Sequence, residues 1–145
     1  MNDGERNKII IHTSWLFEAL TSQYRSLFND VKICSGIGIY KNSKMFVNFT
    51  QNLKMASVLL SQAYRNFTSI IKSTNLSGKY LQNIYNLYVK RSFYQERKAY
   101  EIFNNLQYDK NIAGANEYKH IYAKMYNLNN LYGQIDNNFY HMQDF

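Results

Sequence analysis

Few side chains in this chain have the type and spacing that metal binding requires. Glu117 and His120 are three positions apart, which places a carboxylate and an imidazole on one face of a helix. Di-metal sites in helical bundles use this Glu-x-x-His pair on two helices, with a further Glu from each of the other two. The sequence contains one copy, and Glu18 could add a single carboxylate. We therefore predict no metal and no cofactor, and an enzyme with a metal in its core is only our second alternative.

Two other motifs are too incomplete to indicate catalysis. Gly36-Ile37-Gly38 has the first two glycines of a dinucleotide-binding turn, but Lys41 occupies the third position and no βαβ unit surrounds it. Cys34 could act as a nucleophile only with a histidine in hydrogen-bond reach, and nothing in the spacing requires one. We interpret the glycines as turn residues and Cys34 as a small buried residue. The prediction is a non-enzymatic protein.

The basic residues form the clearest candidate binding site. Residues 32–107 contain eleven Lys and Arg but only two acidic residues, whereas the rest of the chain contains six basic and eight acidic residues. On a helix over 78–107, Lys79, Lys90 and Arg97 would fall within about 20° of one another. The candidate site comprises these cations, two more about a quarter turn away and two flanking rings: Lys79, Lys90, Arg91, Arg97, Lys98, Phe93 and Tyr94.

This basic row has three interpretations. Cations beside aromatic rings can bind a phosphate backbone while the rings stack on bases, as in RNA- or DNA-associated proteins. The row could instead contact an acidic protein or a membrane surface. It could also be the solvated side of a helix that packs by its other side.

The elements that would position these residues are helices. Eight apolar or aromatic residues near the C-terminus are spaced alternately three and four apart, which places them on one stripe of a helix. Proline, the commonest breaker of long helices, is absent. The stripe consists of Tyr118, Ile121, Met125, Leu128, Tyr132, Ile135, Phe139 and Met142.

Similar spacing predicts four helices, at about 13–30, 52–73, 78–107 and 116–143, the last unbroken or bent at Gly133. We expect Thr13 or Ser14 to cap the first helix and Asn116 the fourth. Residues 1–8 are predicted to be a flexible tail, and 73–78 and 109–114 to be turns. Two short apolar runs within 31–51 indicate a loop or a small β-hairpin. The predicted fold is all-α, a single-domain (1–145) antiparallel four-helix bundle that is coiled-coil-like.

Uneven helix lengths are the main sign of an assembly. At about 1.5 Å per residue the first two predicted helices span roughly 30 Å and the last two more than 40 Å, so the longer pair would overhang. A partner could cover that overhang. We therefore predict a structural protein, a small basic subunit or adaptor that docks into a larger assembly, or self-associates, through its third and fourth helices. A nucleic-acid-associated protein is the first alternative.

Composition gives an expectation about location. The N-terminal residues are polar, no window has the apolar length of a membrane span, and Cys34 has no cysteine to pair with. We expect an intracellular protein without a transmembrane segment.

Overall fold

The computed structural model describes residues 2–73, 76–109, 112 and 116–145. Within this part of the chain almost every residue is helical and no β-strand occurs. The all-α prediction is therefore confirmed. Parts of the two predicted turns, at 73–78 and 109–114, lie outside the described residues.

The described residues form six α-helices, in chain order α1 (Asp3–Ser35), α2 (Gly38–Lys41), α3 (Lys44–Ile71), α4 (Gly78–Ile84), α5 (Lys90–Asn105) and α6 (Asn116–Met142). A π-helical turn, Tyr85–Val89, joins α4 to α5 without a break, and the whole is called the α4–α5 helix below. A short 3₁₀ turn, Leu106–Tyr108, follows it. Helix α6 is unbroken through Gly133, as in the first of the two predicted alternatives.

Helix α1 begins ten residues earlier than predicted. The side chain of Asn2 accepts a hydrogen bond from the backbone N–H of Glu5 at 2.9 Å, which caps the helix. Thr13 is buried within α1, and its hydroxyl donates to the carbonyl of Ile9. The predicted cap at 13–14 is therefore wrong, and residues 3–8 of the predicted tail form the first turns of α1.

The predicted loop or hairpin over 31–51 is also wrong. Helix α1 continues to Ser35, α2 forms one helical turn, and α3 starts at Lys44 with Ser43 as its cap. The apolar residues Phe46 and Phe49 are three apart and continue into the stripe of α3 through Leu53. Their spacing is helical, and reading them as part of a short strand missed that continuity.

The corrected boundaries remove the predicted overhang. Helices α1, α3 and α6 contain 33, 28 and 27 residues, and the α4–α5 helix contains 28. At about 1.5 Å per residue all four are roughly 40 to 50 Å long. The difference in length therefore gives no argument for a partner.

Each of the four long helices packs against two of the others, so that together they enclose one interior. The most extensive contacts join α3 to the α4–α5 helix and α1 to α6. At one end of the interior, the Phe17 ring centroid lies 5.3 Å from that of Phe67 and 6.2 Å from that of Phe139. Tyr85 contacts Phe139 at 5.7 Å. These rings come from all four helices, so the apolar core is shared by all of them.

Candidate functional site

The cations of the predicted basic row all lie on the surface. Lys79, Lys90, Arg91, Arg97 and Lys98 are exposed. Two of them lie over aromatic rings of their own helix, with the Arg97 guanidinium carbon 5.7 Å from the Phe93 centroid and the Lys98 Nζ 4.8 Å from the Tyr94 centroid. Arg91 donates a hydrogen bond from Nη1 to the carbonyl of Leu87 at 3.3 Å.

The π-helical turn changes the alignment of this row. An i→i+5 turn adds one residue to the helix, which rotates everything after it by roughly a quarter turn relative to an uninterrupted α-helix. Lys79 precedes the turn, whereas Lys90 and Arg97 follow it. The lysine at 79 is therefore displaced from the line of the other two, and the cations on α5 form the compact part of the row.

The two aromatic residues of the row differ in their surroundings. The ring of Phe93 stacks on that of Tyr132 from α6, with a centroid distance of 4.8 Å and an interplanar angle of 3°. Phe93 thus uses a face for packing inside the protein. Tyr94 is 58% exposed and remains a surface ring. Only Tyr94 of the two predicted rings is free to contact a partner over most of its area.

The surface also contains aliphatic residues that the sequence analysis did not single out. Ser92 Oγ donates to the carbonyl of Ala56, so position 56 of α3 and position 92 of the α4–α5 helix lie side by side. Near this level, Met55 and Val58 on α3 are more than half exposed, and so is Leu87 on the neighbouring helix. We define the α3–α5 face by five exposed residues: Met55, Val58, Leu87, Arg91 and Tyr94.

Charge is unevenly distributed between the two helix pairs. Helices α1 and α6 balance six basic residues against six acidic ones. Helix α3 and the α4–α5 helix have eight basic residues against two acidic ones, and one of those two, Glu96, is fully buried. The eight are Lys44, Lys54, Arg65, Lys79, Lys90, Arg91, Arg97 and Lys98. The α3–α5 face therefore lies on the strongly basic side of the molecule.

A chain of hydrogen bonds crosses the middle of the core. Tyr24 OH lies 2.6 Å from Tyr132 OH, which lies 2.6 Å from Ser92 Oγ, and Ser92 Oγ is 2.6 Å from the carbonyl oxygen of Ala56. A carbonyl cannot donate, so Ser92 donates to it, Tyr132 donates to Ser92, and Tyr24 donates to Tyr132. One directed chain, called the hydroxyl chain below, thus joins all four long helices.

The carboxyl group of Glu96 is buried beside this chain without a hydrogen-bond partner in the described structure. The three hydroxyl protons are already used along the chain, which leaves none for Glu96. Burial raises the pKa of Glu96 to about 8, and the nearby Arg97 only partly offsets that rise. Because of this pKa the carboxyl is mainly neutral near pH 7.

Helical spacing could have identified Ser92 and Glu96 as polar residues of the core. Ser92, Glu96, Ala99 and Phe103 are spaced four, three and four apart, which is a helical stripe. At 100° per residue Ser92 lies about 20° from Leu81, so it falls on the stripe of the α4–α5 helix, where a polar side chain interrupts the apolar pattern. Glu96 lies about 40° farther round the same helix, so both polar residues share its buried side.

The remaining candidates do not assemble into a catalytic or metal site within the described residues. No group of three or more potential metal ligands occurs there, and His120 is exposed while Glu117 is half-buried. Cys34 is buried, and burial raises its pKa to about 11, which leaves a protonated, unreactive thiol. Gly36 follows the last residue of α1 and Gly38 begins α2.

None of the helices in the described ranges has the length and apolar character needed to cross a membrane. Comparison with family models, with curated proteins and with solved structures finds no match to this chain.

Proposed function

We propose that this chain is a non-enzymatic binding protein that docks on an acidic surface of a protein partner through the α3–α5 face. The supporting observation is that positive charge, which forms no ion pair with any described residue, coincides with exposed aliphatic and aromatic area at one level of one helix pair. Opposite charge on the partner would steer and orient the encounter, and burial of the apolar residues would supply affinity.

The composition of the α3–α5 face favours protein over nucleic acid. Met, Tyr and Arg are enriched at protein interfaces, and all three types are present as Met55, Tyr94 and Arg91. Binding of single-stranded nucleic acid relies on several rings that stack on successive bases. Here one predicted ring, Phe93, is stacked inside the protein, and the aliphatic residues Val58 and Leu87 cannot replace it.

We infer that the scaffold of this face is an antiparallel four-helix bundle. Where two neighbouring helices touch, the residue numbers rise along one helix as they fall along the other, as expected for up-and-down neighbours. Phe93 and Phe103 of the α4–α5 helix stack on Tyr132 and Tyr118 of α6, so higher numbers on one helix meet lower numbers on the other. The bonds from Gln23 to Lys124 and from Asn138 to Thr13 show the same order for α1 and α6.

Co-purification from the native source followed by mass spectrometry would test the proposed function. The face variant carries Met55→Ser, Leu87→Ser and Arg91→Ala. We expect it to lose at least tenfold in affinity for the protein that co-purifies with the wild type, because three central contacts are removed; tenfold is about 1.4 kcal/mol. The retained partner should have a surface rich in Asp and Glu.

A matched variant on α1, Ile11→Ser, Ile33→Ser and Arg25→Ala, controls for the loss of two exposed aliphatic residues and one cation. It should keep the partner, and both variants should unfold near the wild-type midpoint. Equal retention by the face variant and the wild type would contradict the proposal. A protein that elutes as a monomer at high concentration and co-purifies with nothing would also contradict it.

A nucleic-acid-associated protein is the second candidate, favoured by the eight-to-two excess of basic residues on one helix pair. It predicts binding to a single-stranded RNA homopolymer whose affinity falls steeply with salt and weakens when Lys90, Arg91, Arg97 and Lys98 become Ala. Filter binding at low salt measures this. Absence of retention, or a co-purified partner that resists nuclease treatment, would remove this candidate and leave the protein partner.

A further inference from the structure

A cleft lies between the C-terminal half of α1 and the N-terminal half of α3, on a different edge of α3 from the α3–α5 face. It consists of two adjoining cavities of about 440 and 250 Å³ that share Ser35, Thr50 and Lys54 in their walls. Ligand pockets commonly measure roughly 300 to 1,000 Å³, so the larger cavity is of that size. The larger cavity is lined by Phe28, Val31, Lys32, Ser35, Thr50 and Lys54.

The lining of this α1–α3 cleft is apolar at its base. Val31 belongs to the buried core, and Phe28 packs against that core while remaining partly exposed. In the adjoining cavity Tyr40 and Phe46 are also buried core residues. Of these side chains Phe28 still exposes apolar surface, and an aliphatic chain laid over it would remove that surface from water, which is favourable.

The cleft has positive charge and no negative charge in its lining. Lys32 comes from α1, Lys54 from α3, and Lys41 extends the positive charge into the second cavity. The nearest acidic residue along α1, Asp30, forms an ion pair with Lys124 of α6. The ammonium groups of the cleft are therefore available to an anion from outside.

The hydroxyl groups of Ser35 and Thr50, which belong to both cavities, do not add donors for that anion. Ser35 Oγ donates to the carbonyl of Val31 at 2.8 Å, and Thr50 Oγ1 donates to the carbonyl of Phe46 at 2.9 Å. Each hydroxyl proton is thus used within its own helix. In the larger cavity the donors that remain are lysine ammonium groups, which act as compact point charges, and neither cavity has an arginine in its lining. The adjoining cavity adds the side-chain amide of Gln51 and the hydroxyl of Tyr40, which has no hydrogen-bond partner among the described residues.

We propose that the α1–α3 cleft binds a single-chain amphiphile with a carboxylate head, with the carboxylate between Lys32 and Lys54 and the chain over Phe28 and Val31. Two ammonium groups on opposite walls suit a singly charged, two-oxygen head. A phosphate head carries more charge and a third oxygen, and the larger cavity has no arginine to hold such a head in a bidentate pair.

Isothermal titration with dodecanoate, below its micelle concentration, tests the assignment. We expect saturable binding of one molecule per chain, weakened at least tenfold by Lys32→Ala with Lys54→Ala. The control, Lys8→Ala with Lys119→Ala, removes the same charge from exposed positions outside the cleft and should bind as the wild type does. Dodecyltrimethylammonium, with a similar chain and the opposite charge, should bind at least tenfold more weakly than dodecanoate.

Three results would overturn the proposal. The first is an absence of saturable dodecanoate binding to the wild type. The second is equal affinity of the two double variants, with circular dichroism showing both to be folded, since the charge of the cleft would then be irrelevant. The third is tighter binding of dodecyl phosphate than of dodecanoate, which would exclude a carboxylate-selective head site.

Discussion

The Glu96→Gln variant is expected to be several kcal/mol more stable than the wild type at pH 9, and to lose much less stability between pH 5 and pH 9. The pKa of Glu96 is about 8 in the folded protein, against 4.5 as its ordinary value. Between these values the unfolded chain releases a proton that the folded chain keeps, so the wild type loses stability as pH rises. Each unit of pKa difference corresponds to about 1.4 kcal/mol.

The neighbours of Glu96 do not titrate in this pH window. Burial raises the pKa of Tyr24 on α1 and of Tyr132 on α6 above their ordinary 10, which places both outside the window. The contribution of the neutral Glu96 is fully present below about pH 4.5, decreases as pH rises to about 8, and then stays constant. Gln has a similar shape and no proton to lose, so it removes this dependence.

Urea unfolding at pH 5, 7 and 9 measures the effect, and Glu101→Gln is the matched control. Glu101 lies on the same helix but is exposed, so its replacement should leave the pH dependence of the wild type intact. Asp136 also has a raised pKa because of burial, and it adds a smaller decrease that both variants retain. A wild type equally stable at pH 5 and pH 9 would contradict a neutral buried Glu96.

Gly78→Ala is expected to destabilise the protein by about 1 to 3 kcal/mol. A Cβ at this position would overlap the backbone carbonyl oxygen of Gln143 and lie 2.7 Å from its carbonyl carbon. Backbone atoms cannot rotate away as a side chain can, so the segment after α6 must move. That movement would break the hydrogen bond from the Gly78 N–H to the carbonyl of Phe145, now 2.7 Å long. It would also take the Phe145 ring from beneath the Arg6 guanidinium.

Gly133→Ala is expected to stabilise the protein, in contrast to Gly78→Ala. A Cβ at Gly133 would meet no atom within 4 Å, and the residue lies in the interior of α6. Alanine favours a helix by about 0.5 to 1 kcal/mol over glycine, so this variant should be stabilised. Thermal or urea unfolding compares the two. A Gly78→Ala protein as stable as the wild type would show that the close approach of the two segments is not needed.

The strongest sequence pattern predicted its element best. All eight residues of the C-terminal stripe are buried, from Tyr118 to Met142, on a helix whose ends differ by at most one residue from the prediction. A regular apolar stripe reports burial directly, because each member faces the same neighbours. The start of α1 was harder to predict, because its first turns are exposed and polar and depend on the cap at Asn2.

The candidate site was only partly predictable for a different reason. Exposure of the cations followed from their position opposite an apolar stripe, and it was observed. The alignment of Lys79 depends on the π-helical turn, which a constant angle per residue cannot represent. The burial of Ser92 and Glu96 was hidden by their polar side chains, since an apolar pattern does not register polar core residues. Exposed aliphatic residues such as Met55 and Leu87 could not be identified in advance, because the side of each helix that meets a neighbour is set by tertiary packing.

The hydroxyl chain has a consequence for how the four helices can slide along one another. Apolar stripes interlock almost equally well at offsets that differ by one helical turn, so they choose poorly among alternative alignments. Tyr24, Tyr132, Ser92 and the carbonyl of Ala56 meet at a single offset. A slip of one turn would leave these polar groups without partners in a dry interior, at a cost of about 1 to 3 kcal/mol for each group. A few hydroxyl groups thereby select one axial alignment for the whole molecule.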